Sequence, residues 1–278
     1  MKFTEGYWEK NERANAIHAA QAFIVEKIPH GMKVVAPTRV ITDRAGALDV
    51  STITTEFTSI RKDIISVRSY HYEGYDKKEP RYELFEDYQD TEVEINEKEA
   101  VMTAGNVAVR VNREDFKVTF EADGKVLTSI GFRNLGYMQY DRKTLTKFPE
   151  DNYMAADYKP YMMTELSLDA GECVYGLGER FTAFVKNGQV VDCWNEDGGT
   201  SSQISYKNVP FYVTSKNYGV YVDHSDNVSF EIASEKVENV GFSVEGEEIR
   251  YHIIYGKTMK NVLETYTDLT GKPALPPA

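Results

Sequence analysis

Cysteine is scarce, with 2 residues in 278, Cys173 and Cys193. Two cysteines build no disulfide framework, and neither sits in a CxxC pair or a recognisable zinc spacing. Both are expected to be reduced, packed thiols. Long apolar runs are missing too, since none approaches the ~20 residues that span a bilayer. The segment Met1 to Asn15 mixes charges with aromatics and has neither the apolar stretch nor the small-residue cleavage site of a secretory leader. These absences predict a cytoplasmic protein with no membrane partner. Positive charge is short as well: 32 Lys and Arg stand against 44 Asp and Glu, a net of −12. The basic pairs Arg61-Lys62, Lys77-Lys78 and Arg142-Lys143 are dispersed, whereas neutralising phosphates needs clustered Lys and Arg. Nucleic acid is excluded as a partner. No His, Cys and carboxylate spacing meets metal-ligand geometry, and no GxxxxGK[ST] or complete GxGxxG is present. No metal or other cofactor is expected.

Aromatic residues are plentiful, at 19 Tyr, 13 Phe and 2 Trp, and hydrophobic residues make up 41 % of the chain. A sizeable core is available, and intrinsic disorder is ruled out. Tyr, Phe, Val, Ile and Thr fit pleated, half-buried surfaces. Short runs of that kind recur between Gly, Asn, Asp and Pro: Phe23–Ile28, Met32–Ala36, Thr52–Thr58, Ile64–Tyr72, Val101–Ala104, Val107–Val111, Phe116–Glu121 and Lys125–Ile130. Asp123-Gly124 is a two-residue hairpin signal, and Ala104-Gly105-Asn106 reads as another. The later runs are Val209–Thr214, Gly219–Val222, Val228–Ile232, Val240–Glu245 and Glu248–Tyr255, with turns at Asn217-Tyr218-Gly219 and Glu245-Gly246-Glu247. The near-alternation in Glu248–Tyr255 predicts a half-exposed strand. A dozen or more antiparallel strands imply packed sheets, an all-β sandwich over residues 1–256.

One helix is expected, in the segment 257–278. Thr258 is its candidate N-cap, Val262, Leu263, Tyr266 and Leu269 share a face, and Gly271 is placed to stop it. Lys272 to Ala278 then carries prolines at 273, 276 and 277, an extended connector expected to lead into a further domain. The stretches Glu73–Asp90 and Gln139–Lys159 are polar, Tyr-rich and weakly periodic, and read as long loops.

Two passages could carry chemistry. In Tyr175-Gly176-Leu177-Gly178-Glu179-Arg180, the glycines suggest a tight backbone excursion, and the adjacent charges are read as fixing a loop through different neighbours. In Trp194-Asn195-Glu196-Asp197-Gly198-Gly199, an aromatic face stands beside polar side chains on a Gly-terminated tip. Sugars offer apolar C–H patches to such a ring and hydroxyl protons to such oxygens. A packed Trp at an Asx-type turn is the plainer alternative.

The stretches Tyr175–Phe181, Trp194–Gly199 and Tyr206–Tyr212 resemble the N-terminal region of family 31 glycoside hydrolases. Thr267–Pro277 is similar to the linker entering that family's barrel, and Gly6-Tyr7-Trp8 through Glu26 looks like its bacterial α-xylosidase branch. The resemblance runs from about Leu166 to the C-terminus, with a patch over the first 30 residues. It implies a galactose-mutarotase-like supersandwich preceding a (β/α)8 barrel that carries both catalytic carboxylates of a retaining hydrolase. On that reading this chain holds no catalytic residue. It shapes the pocket for a carbohydrate substrate, an α-xyloside or α-glucoside, and packs on the absent barrel. The family's sandwich reaches the sugar through one loop Asp, which matches Asp197; Trp194, Asn195 and Glu196 are its companions. The surface meant for the barrel leaves room for a homo-oligomer.

Two other classes stand beside this one. An aldose 1-epimerase-like enzyme needs a His acid and a Glu base in one cleft. The histidines are His18, His30, His71, His224 and His252, and no His–Glu pair stands out in sequence; His252 reads as a strand residue and His224 as a turn residue. A stand-alone carbohydrate-binding module is the other.

Overall fold

A computed structural model of the chain describes residues 3–5, 9–10, 14–74, 81–141, 158–196 and 203–277. Its strands pair antiparallel throughout the described residues, apart from one isolated parallel bridge between Asn195 and Ser205. The largest sheet has eight strands, in spatial order Val174–Gly176, Phe211–Thr214, Tyr218–Val222, Glu248–Tyr255, Ile64–Tyr70, Thr52–Arg61, Gly31–Pro37 and Ile24–Ile28. A six-stranded sheet runs Gln189–Cys193, Val228–Ile232, Asn239–Glu245, Tyr158–Ser167, Leu135–Asp141 and Ala14–His18. A five-stranded sheet runs Lys125–Ile130, Val118–Ala122, Val107–Asn112, Glu99–Ala104 and Glu92–Ile95. The five- and six-stranded sheets abut where Thr128 Oγ1 donates to Ser167 O at 2.8 Å and Ser129 N donates to Ser167 Oγ at 2.9 Å. Both pack on the eight-stranded sheet through one continuous core, with rings meeting at Phe57–Phe120 (6.2 Å) and Phe242–Tyr251 (5.0 Å). The fold is all-β, as the sequence predicts, with a third sheet beside the two layers.

The turns follow from their residues. Asp123 and Gly124 both adopt positive φ, 48° and 73°, which a two-residue hairpin closing Ala122 onto Lys125 requires. Thr258 caps the helix Met259–Thr270 by accepting from Asn261 N at 3.2 Å, and Gly271 ends it at φ 97°.

That helix explains one departure from expectation. Glu248–Tyr255 is buried on both faces rather than half exposed. Ile249, Tyr251 and Ile253 join the sandwich core, while Ile254 meets Phe211, Tyr221, Val262 and Leu269 under the helix. Tyr266 stacks on Phe211 at 4.0 Å, and Leu263, expected on the apolar face, stays 47 % exposed. A second departure concerns Gln139–Lys159. Leu135–Asp141 and Tyr158–Ser167 are strands reaching into that segment, because Tyr140 and Tyr161 pack with Phe3, Met138 and Met163 in a separate apolar cluster. Residues 142–157 lie outside the described residues, as do 75–80 of the other expected loop. Phe116, expected in a strand, precedes it at φ 47°, and pairing begins at Val118.

Candidate functional site

The passage from Gly176 to Arg180 makes the backbone excursion its glycines suggest. Gly176, Leu177 and Gly178 have φ of 114°, 67° and 87° in succession. A Cβ on Gly178 would lie 2.0 Å from Lys207 O, so no other residue fits that close approach. The excursion lies along the segment 207–211, with Leu177 N donating to Phe211 O and Glu179 N to Lys207 O, each at 2.9 Å. It aims the Arg180 guanidinium at a ring of acceptors. Nε donates to Leu177 O at 3.0 Å, one terminal nitrogen to Gln203 O at 3.1 Å, and the other to Asp192 O at 3.0 Å and to Asn208 Oδ1.

Asn208 passes the constraint on. Its Nδ2 donates to Trp194 O (2.7 Å), Ser205 O (2.8 Å) and Asn195 Oδ1 (2.9 Å). Glu196 N donates to Ser205 O at 3.2 Å. Both arms of the loop, 194–196 and 203–208, are thus clamped together. Glu179 pairs with Lys207 at 3.0 Å, with both side chains about three-quarters exposed, an interaction of little energetic weight.

Of the four residues singled out in sequence, Trp194 is 46 % exposed. Asn195 and Glu196 are exposed, but the Asn195 carbonyl oxygen is engaged by Asn208, so part of its role is structural. Asp197, with Gly198 and Gly199, lies outside the described residues. Cys193, just before the loop, is a buried free thiol; burial pushes it up to about 11, with Arg180 opposing.

A second concentration of polar residues escaped the sequence reading. A cleft of about 340 Å³ opens where the six- and eight-stranded sheets meet, walled by the turn 223–225, the corner 245–248, Arg250 and Arg81. The corner turns from one sheet into the other at Gly246, whose N–H donates to Pro160 O at 2.8 Å. Glu248 is held by Arg68 at 2.7 Å and Arg81 at 2.9 Å; burial alone would raise its carboxyl, but these hydrogen bonds outweigh it and hold it below the usual range. Glu247 accepts from Tyr137 Oη at 2.7 Å and lies 2.7 Å from His71 Nδ1, with the His71 and Tyr137 rings stacked at 3.9 Å. So a His–Glu pair does exist; 176 residues separate its members, and no local motif announces it. Behind the cleft, His252 is 1 % exposed and neither ring nitrogen has a hydrogen-bond partner among the described residues. Burial first, then Arg250, pushes it down to about 3, so it is neutral. Its Nε2 stands 4.0 Å from Asp223. An adjoining cleft of about 220 Å³ shares His224 and Ser225 and is walled on its far side by Trp194, Asn195 and Asn208. Among the described residues no helix is long and apolar enough to cross a membrane.

A family profile described as the glycosyl hydrolase 31 N-terminal galactose mutarotase-like domain matches residues 54–231. Among curated proteins, the chain is 39 % identical over 280 residues to α-xylosidase XylQ of Lactiplantibacillus pentosus and 40 % identical over 289 residues to an α-xylosidase of Emericella nidulans. Each match covers 100 % of this chain, which spans 35 % and 36 % of the length of those relatives. Among solved structures, a cycloalternan-forming enzyme from Listeria monocytogenes, in complex with a pentasaccharide substrate, aligns with TM-score 0.74 at 17 % identity, over 95 % of this chain and 23 % of its own. A GH31 α-xylosidase from a soil metagenome, complexed with xylose, aligns with TM-score 0.60 at 16 % identity, over 90 % and 35 %. At such identities the structures establish the fold alone.

Proposed function

Because the chain belongs to the glycosyl hydrolase 31 N-terminal galactose mutarotase-like domain family, we propose that it is the non-catalytic β-sandwich of a retaining α-glycosidase, an α-xylosidase foremost. Residues 1–256 form the sandwich, and 257–278 form the helix and linker that enter a (β/α)8 barrel holding both catalytic carboxylates. The chain contributes to the sugar pocket through the loop at Trp194–Gly199. Trp194 offers a ring to the sugar's C–H face, and Asp197 accepts hydroxyl protons, with Glu196 in a lesser part. A cytoplasmic location belongs to the same reading, in keeping with two free thiols.

The observation that carries this reading is the Arg180–Asn208 clamp. It binds both arms of the loop to the sandwich and leaves Trp194 turned to the surface. Rigid arms under a Gly-terminated tip are what a pocket built by two domains needs, because a loosely held group loses orientation. A carboxylate bonded to a sugar hydroxyl is worth ~1.5–3 kcal/mol. In the complete enzyme, Asp197→Asn therefore lowers kcat/KM on an aryl α-xyloside about ten- to a hundred-fold, and Glu196→Gln lowers it less. Wild-type kcat/KM in Asp197→Asn would remove the loop from the pocket. The 278-residue chain by itself is expected to leave the same substrate unhydrolysed; turnover above the buffer rate would overturn its non-catalytic role.

A further inference from the structure

The cleft between the two sheets contains an acceptor and a donor that the described residues leave unsatisfied. Asp223 has a side chain only 6 % exposed, yet no hydrogen bond from the described residues reaches its carboxylate. Among the described residues, His252 Nε2 stands 4.0 Å from its carboxylate, beyond hydrogen-bond range. Opposite it on the adjoining strand, Arg250 keeps its backbone bond, accepting from Asp223 N at 2.9 Å. Its guanidinium, however, has a buried Nε with no partner and only a loose approach to Glu248, 4.0 Å away. Buried groups of this kind cost free energy unless something bonds them. Asp223 and Arg250 both line the cleft without pairing with one another. Burial pushes the Asp223 carboxyl above its ordinary range, against the pull of Arg250 and Arg81.

The other charged groups around the cleft are already engaged. Glu245 bonds Lys159, Glu247 bonds Tyr137 and His71, and Glu248 bonds Arg68 and Arg81. A cation would find one uncommitted carboxylate, and among the described residues no three potential ligands cluster. An anion would meet four carboxylates against two arginines. The open requirement is for a neutral molecule that donates to Asp223 and accepts from Arg250. Adjacent hydroxyls do both, and at about 340 Å³ the cleft sits at the lower end of the ~300–1,000 Å³ typical of small-molecule sites.

We propose that this cleft binds a neutral pyranose, with one hydroxyl donating to Asp223 and a neighbouring oxygen accepting from Arg250. The shared wall at His224 and Ser225 leads from it towards Trp194, so a glycan longer than one unit has a path along the surface. The reading stands on the sandwich alone and does not depend on the role of Asp197.

Titration of the chain with methyl α-D-xylopyranoside and methyl α-D-glucopyranoside, followed by amide and indole NMR shifts, tests it. Saturable shifts are expected at Ser225, Gly246 and Arg250 with at least one sugar, while the Trp194 indole stays still. Asp223→Ala and Arg250→Ala should each weaken that binding about ten- to a hundred-fold, the loss of one charge-assisted hydrogen bond. Wild-type shift mapping is decisive by itself if a variant fails to fold. No saturable shifts, shifts confined to Trp194, Asn195 and Asn208, or displacement of the sugar by inorganic phosphate would each overturn the proposal.

Discussion

Arg180 does its work with carbonyls, not with a carboxylate. Adjacent opposite charges in Glu179-Arg180 suggested a pair of loop-fixing salt bridges. Only Glu179 makes one, and it is exposed. The guanidinium instead spreads its donors over Leu177 O, Gln203 O, Asp192 O and Asn208 Oδ1, a fan that needs a planar fork. A lysine offers its donors from one point and cannot span these acceptors. Arg180→Lys is therefore expected to destabilise the chain by about 2–3 kcal/mol, read as a lowered urea midpoint. It should also loosen the loop arms, detected as faster acrylamide quenching of Trp194. An unchanged midpoint and unchanged quenching would show that the clamp is ornamental. The residue type was legible in sequence as a structural arginine. Its partners were not, because they are three backbone carbonyls and one side-chain amide oxygen brought together by three separate segments.

At the scale of elements, the hairpins and the glycine turn were legible because their signals are local. Asp123-Gly124 and Gly176-Leu177-Gly178 both mark positive φ, but the two glycines carry different loads. A Cβ on Gly124 meets nothing within 4 Å, whereas one on Gly178 runs into Lys207 O. Gly124→Ala should cost only the left-handed backbone penalty, about 1–2 kcal/mol. Gly178→Ala adds a backbone collision and should exceed it by at least ~1–2 kcal/mol, since the turn must shift off the 207–211 segment. Equal unfolding free energies for the two variants would refute the close approach. What stayed illegible is long-range. Glu248–Tyr255 pairs with Ile64–Tyr70, and its outer face is covered by a helix that follows it in sequence. Alternation in one segment says nothing about such a cover. The cleft was hidden for the same reason: Asp223 and Arg250 meet by strand pairing, and Arg81 arrives from a stretch read only as loop.

Across the whole molecule, buried ionisable groups set how the fold responds to acid. His252 is neutral in the fold, held down to about 3 by burial and by Arg250, whereas an unfolded histidine titrates near 6.5. Below that value the unfolded chain takes up a proton that the folded chain refuses, so stability falls as pH drops from about 6.5 towards 3. Glu248 acts in the same direction, because its lowered carboxyl stabilises the fold above the ordinary carboxylate range and loses that contribution as pH falls. Asp223 and Glu165, both raised by burial, oppose the trend, since their folded forms hold protons more readily than the unfolded chain does. The histidine can be separated from the carboxylates by substitution. His252 packs against Tyr221, with ring centroids 5.8 Å apart, and faces Asp223 and Arg250, so leucine fills the site without a titrating ring. Between pH 6 and 4.5 the unfolding free energy of the native chain should fall more steeply than that of His252→Leu. The difference in slope is expected to approach 1.4 kcal/mol per pH unit, the value for one proton. Urea unfolding of both proteins at several pH values measures it. Parallel curves would mean that His252 titrates alike in the folded and unfolded chains, which its burial forbids.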